Sequence, residues 1–239
     1  MNLILLFPDD FVAEGRRVRL EGRRLAHVRD VHRARVGDEL RVGVLDGPMG
    51  SGRISRLDEQ GLEMEVRLEH DPPPPLDATL ILGLPRPLIL KRVLHSATAM
   101  GVKRIVLLHS RRVEKTFWQA TAMQPAKLRE QLVLGLEQAR DTRMPELLLR
   151  RRFRPFVEDE LPTFARPGRA WVAHPEAPEP CPRELPVPAT LAVGPEGGFL
   201  DHEVALLAEA GLTRVGLGAR VLRVDTAVPF LLSRLASPL

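Results

Sequence analysis

Four consecutive prolines, Pro72–Pro75, divide this chain into two stretches with different periodicities. Such a run is stiff and extended, and it lacks the amide donors needed to continue a helix or a sheet ladder. Before it, Arg17–Leu20, Glu39–Val44 and Leu62–Leu68 alternate apolar with polar residues. Gly37-Asp38 and Asp46-Gly47 supply turns, and one helical piece spans Arg24–His32. This pattern predicts a small β-barrel over residues 1–71. After the prolines, apolar strands at Thr79–Leu84, Arg104–Leu108, Ala170–Ala173, Leu191–Val193 and Val215–Leu217 alternate with helices. The helices read as Pro87–Met100, Ala126–Arg140, Asp201–Ala210 and Thr226–Leu235. Residues 76–239 are therefore expected to form an α/β domain, its mostly parallel sheet covered on both faces. Trp118 and Trp171 read as packing residues.

Charge and cysteine content narrow the classes. A net charge of +4, carried overwhelmingly by Arg, permits a polyanionic partner without requiring one. From Arg16 to Arg41 there are nine Arg against four acidic residues. That is either an ordinary solvated face or a basic face for phosphates, with Arg23, Arg24, Arg29 and Arg33 as the contacts. The run Arg150–Arg154 with Phe153 inside it offers a weaker element for single-stranded RNA. The lone Cys181 cannot form an internal disulfide, and the seven His show no metal-ligand spacing, so no metal is expected. No secretory leader or membrane-spanning run is read, and the expected compartment is the cytoplasm.

Two motifs point to chemistry. Leu191–Phe199 reads as a strand entering a Gly-Pro-Glu-Gly-Gly turn, with Asp201 as the expected cap of the next helix. Such a turn either simply joins strand to helix or lets a ligand approach the main chain. Val215–Ala227 follows one helix later. Three loops, beginning at Ala173-His174-Pro175, Gly194 and Leu217, lie where ligands of parallel sheets bind, at the carboxyl ends of strands.

Together Gly194-Pro195-Glu196-Gly197-Gly198-Phe199 and Leu217-Gly218-Ala219-Arg220-Val221-Leu222-Arg223-Val224-Asp225-Thr226-Ala227 resemble the last two motifs of SPOUT-class RNA methyltransferases. They are most similar to those of the ribosomal RNA small subunit methyltransferase E family. The resemblance implies a PUA-like RNA-binding barrel followed by a trefoil-knotted α/β domain, and a homodimer. It also implies N3-methylation of a uridine in 16S ribosomal RNA with S-adenosyl-L-methionine as donor. Another ribosomal or transfer RNA site is the rival within enzymes, and a non-catalytic RNA-binding assembly factor the rival outside them. On this resemblance the cofactor pocket comprises Ala173, His174, Pro175, Gly194, Pro195, Glu196, Gly197, Gly198, Leu217, Gly218, Leu222 and Arg223. Arg220 and Arg223 would stabilise charge developing on the base. Glu196 or Asp225 would accept its proton, or each would instead cap a helix.

The chain departs from the family pattern at Ser96, Ala99 and Asp141, where charged or basic residues are usual. Parts that meet RNA have changed while the cofactor loops are intact, which leaves the target nucleotide less secure than the reaction class.

Overall fold

A computed structural model describes residues 2–12, 16–166 and 168–235. It forms two compact units, Met1–Pro74 with Val133–Met144, and Pro75–Leu132 with Pro145–Leu239. The division falls inside the proline run. The return of Val133–Met144 to the first unit is not visible in the helical periodicity of that segment.

In the first unit, strands β1 (Ile4–Leu6), β2 (Arg17–Leu20), β3 (Glu39–Val44), β4 (Met49–Leu57) and β5 (Leu62–His70) form one sheet in the order β1-β3-β4-β5-β2. β1 lies parallel to β3, and the other pairs are antiparallel. Register shifts next to Met49 and Ile54 interrupt the β4–β5 pairing, and β1 and β2 end the strand order of a curled sheet that fits the expected small barrel in part. Alternation buries Val18, Leu20, Val42, Ile54, Met64 and Val66 under Leu25 and Val28. Leu25 belongs to helix α1 (Gly22–His27), which continues as a π turn to His32.

Residues 133–144 complete this unit. Val133 and Leu136 pack on Leu3 and Leu5. The Glu137 carbonyl accepts the amides of Asn2 and Leu3, each at 3.0 Å, and the Met144 amide donates to Asp46 at 2.7 Å. The Glu137 carboxylate is buried 2.9 Å from Arg23. Burial pushes its pKa above the ordinary value, outweighing the opposing pull of Arg23. A carboxyl with a raised folded pKa contributes stability that is full below its unfolded pKa and is lost as pH rises through the folded one. Glu137→Gln is therefore expected to flatten the decline in melting temperature just above the ordinary carboxylate range, as read in a pH series of thermal unfolding curves.

The second unit follows the strand-helix alternation expected of it, with one further strand at Glu146–Arg150 that was not expected. Its strands are β6 (Leu76–Gly83), β7 (Val102–Leu108), β8 (Glu146–Arg150), β9 (Ala170–Ala173), β10 (Ala189–Val193) and β11 (Thr213–Val215). All run parallel in the order β11-β9-β10-β6-β7-β8. Helices α2 (Pro87–Ala99), α3 (Pro125–Ala139) only as far as Leu132, a short α4 (Phe153–Pro155), α5 (Asp201–Glu209) and α6 (Val224–Leu232) belong to this unit. β10 is buried along its whole length, as both-face burial requires. The chain adds strands outward through β7 and β8, then crosses to the other side of β6, so the sheet reverses between β6 and β10. α6 packs on α2 and β10, burying Val228 and Leu231. Trp118 and Trp171 are buried, as expected. The expected Asp201 cap is corrected: α5 begins at Asp201, and the buried Glu203 carboxylate reaches back to the Leu200 amide at 2.8 Å.

Candidate active site

The loops that leave β9, β10 and β11 at their carboxyl ends converge on one cavity of about 240 Å³. From β9 come Ala173, His174 and Pro175, and from β10 come Gly194, Pro195, Glu196 and Gly198. The irregular segment 217–223 contributes Leu217, Gly218, Arg220, Leu222 and Arg223. Of the twelve residues expected in the cofactor pocket, Gly197 alone is outside the lining, and Asp225, offered as a proton acceptor, is outside it as well. Val193, Val224 and Ala227 line it as well and were not anticipated, and Val221 joins them from within the expected third loop. Val224 and Ala227 are three apart on α6, a spacing that places both on one helical face.

Close backbone approach holds these loops in place. Gly83, at the end of β6, lies beneath the Gly194-Pro195 turn: a Cβ there would sit 2.5 Å from Pro195 Cδ and 2.8 Å from Pro195 N. The Glu196 carboxylate accepts the Arg86 amide at 3.0 Å, fixing the turn to the start of α2. Gly197 serves a different neighbour. A Cβ on it would meet the Arg112 stem at 3.0 Å, and Arg112 donates to the Gly197 carbonyl. Gly198 has φ +73°, in the left-handed region that glycine occupies without strain.

The charged groups at the cavity differ in freedom. Arg220 is exposed and makes no ion pair among the described residues. Arg223 Nε stands 3.4 Å from Asp225 Oδ1, while Asp225 Oδ2 accepts from Arg92 at 3.2 Å. Asp225, its side chain 15% exposed, is thus held between two guanidinium groups. It lies inside the first turn of α6, which starts at Val224, and so it orients Arg223 and does not cap the helix. Among the described residues no cluster of three or more His, Cys, Asp or Glu stands together, and no helix is long and apolar enough to cross a membrane.

The expected phosphate contacts do not share one environment. Arg24 is engaged internally: it pairs with both Asp10 oxygens, at 2.5 and 2.6 Å, and donates to the Leu5 carbonyl. Arg23 reaches Glu137 and Arg29 reaches Asp30 at 2.7 Å, while Arg33 is exposed at φ 52°. The run at 150–154 is likewise broken up. Arg150 pairs with Glu160 and Arg154 with Glu158, both at 2.7 Å; Arg151 stacks over Trp118, and Phe153 packs on Phe199.

Comparison with known proteins gives the family and the fold. Two curated relatives named ribosomal RNA small subunit methyltransferase E, from Treponema pallidum and Mycobacterium bovis, are 24% and 27% identical. Each alignment covers 95% of this chain and 87% or 88% of the relative. A crystal structure of the enzyme of that name from Neisseria gonorrhoeae, bound to S-adenosyl methionine, superposes with a TM-score of 0.74 at 22% identity. That match covers 97% of this chain and 95% of the other. The family model described as an RNA methyltransferase domain matches residues 72–236, which is more than half of the sequence, and the chain accordingly belongs to that family of RNA methyltransferases.

Proposed function

We propose that this protein is an S-adenosyl-L-methionine-dependent methyltransferase of small-subunit ribosomal RNA that places the methyl group on N3 of a uridine. The observation that carries the reading is the single cavity at the ends of β9, β10 and β11, built from almost every residue that the two motifs nominate. Its chemistry fits the donor. Val193, Leu222, Val224 and Ala227 offer apolar wall, and the glycine turns and the irregular 217–223 segment expose main chain to an adenosyl and an amino-acid moiety.

When bound, the cofactor supplies an electrophilic methyl group on a sulfonium, and the chain's own task is alignment and charge stabilisation. A uridine N3 becomes nucleophilic on losing its proton, and the negative charge then spreads to the base oxygens. Arg220, free and at the cavity, is placed to stabilise that charge, with Arg223 held beside it by Asp225. Glu196, at the cavity and bonded to one amide, retains an oxygen to accept the proton directly or through water. Cys181 lies outside this lining, so no thiolate adduct of a pyrimidine is invoked.

The fuller reading includes a PUA-like role for the curled sheet, with Arg23, Arg29 and Arg33 towards RNA. It also includes a trefoil knot in the second unit, a homodimer, and a cytoplasmic setting. Calorimetry is expected to show one S-adenosyl-L-methionine site per chain, and nucleoside analysis of RNA from deletion and parent strains is expected to show loss of N3-methyluridine. Loss of a different nucleoside would replace the substrate, and absence of cofactor binding by the folded protein would favour an assembly factor instead.

A further inference from the structure

A second cavity, of about 540 Å³, opens at the carboxyl end of β7. His109, Ser110 and Arg111 reach it from the residues after the strand, Phe153 and Arg154 from α4, and His202 from α5. Arg111 is exposed and makes no ion pair among the described residues. Arg154 forms an exposed pair with Glu158, four residues on, of a kind worth little and readily exchanged. Ser110 is 1% exposed and its hydroxyl has no hydrogen-bond partner among the described residues, an orphan that a ligand oxygen would satisfy. Burial, then the charges of Lys115 and Arg151, lowers the His109 pKa from its ordinary value, and its Nδ1 accepts from Trp118 at 2.9 Å.

The cavity is coupled to the cofactor loops. The Arg111 amide donates to Glu203 at 2.8 Å, and Arg112 lies across Gly197 and donates to its carbonyl. The segment carrying the free cation is therefore fastened to the 194–203 turn, and Gly198 in that turn lines the first cavity. An aromatic edge, two guanidinium groups and an unsatisfied hydroxyl suit a nucleotide better than a purely apolar ligand.

We propose that this cavity is a subsite for one unpaired nucleotide flanking the methylated one, with its phosphate held by Arg111 and Arg154 and its base laid against Phe153. The proposal rests on the RNA-methyltransferase reading above, and the test separates the two. Fluorescence anisotropy of a labelled oligouridylate is measured with the full chain, in parallel with calorimetric titration of S-adenosyl-L-methionine. The pair Arg111→Glu and Arg154→Glu is expected to weaken oligouridylate about tenfold or more and to lower the salt slope by about two phosphate contacts, with cofactor affinity unchanged. Wild type is expected to prefer oligouridylate over an abasic ribose-phosphate chain about fivefold or more, and Phe153→Leu to abolish that preference. Unchanged RNA affinity in the double variant, with cofactor binding intact, overturns the subsite. Failure of the wild type to bind cofactor overturns the underlying reading. If the double variant does not fold, Arg154→Ala alone, at a largely exposed side chain, must weaken RNA about threefold or the subsite is withdrawn.

Discussion

Arg220→Ala is expected to lower kcat about a hundredfold or more, while the dissociation constant for S-adenosyl-L-methionine stays within about twofold. The split follows from what the side chain touches. Arg220 lines the cavity, is exposed, and pairs with no carboxylate among the described residues, so its charge is available to a base entering from solvent. Removing a donor that acts only on charge formed during the reaction lowers turnover without weakening a ground-state ligand. Arg223 differs, because Asp225 orients it and is itself tied to Arg92 on α2. Asp225→Asn is a fitting companion: it releases Arg223 from one side and should reduce kcat less than Arg220→Ala does. Steady-state methylation with RNA and cofactor both saturating reads both effects. Turnover of Arg220→Ala equal to wild type would remove this side chain from the chemistry.

The cavity was legible in the sequence because its information is local. Strand, Gly-Pro turn and helix follow one another within a dozen residues, and backbone restrictions at Pro195, Gly197 and Gly198 are set by residue type alone. The parallel sheet was legible for a related reason, since Leu80–Leu82, Ile105–Leu108 and Leu191–Val193 are short apolar runs between helical periods. Pairing between distant residues leaves no such trace. Arg24 reads as one more cation in a basic stretch, yet its partner Asp10 is fourteen residues upstream and bonds it through both oxygens. The same holds for Arg150 with Glu160, and for Glu137, whose burial depends on Asn2, Leu3 and Arg23. β4 was missed for want of pattern: Met49-Gly50-Ser51-Gly52 carries few side chains by which to show an alternation, and β1 is only three residues long. Gly197 shows the limit from the other direction. Its motif marks it as a cofactor contact, but its missing side chain makes room for Arg112, which only coordinates reveal.

Gly83 extends that point to a residue outside both motifs and outside the cavity lining. β6 and β10 are paired in register from Ala78 with Ala189 to Leu82 with Val193, so Gly83, the last residue of β6, lies beside Gly194, the first residue after β10. A methyl group on Gly83 would fall 2.5 Å from Pro195 Cδ, 2.8 Å from Pro195 N and 3.2 Å from Gly194 C. A proline ring and a backbone nitrogen cannot rotate away as a flexible side chain can, so the turn itself must shift. It is restrained nearby by the Glu196 bond to the Arg86 amide and by Arg112 on Gly197. Displacement therefore moves Gly194 and Pro195, two lining residues, relative to the loops after β9 and β11. Gly83→Ala is expected to weaken S-adenosyl-L-methionine at least tenfold and to lower stability by about 1–3 kcal/mol, the usual range for overpacking. Calorimetry and thermal unfolding of the same preparation separate the two effects. Cofactor affinity equal to wild type would mean that the turn relocates freely, and that the cavity's shape does not depend on the close approach of β6.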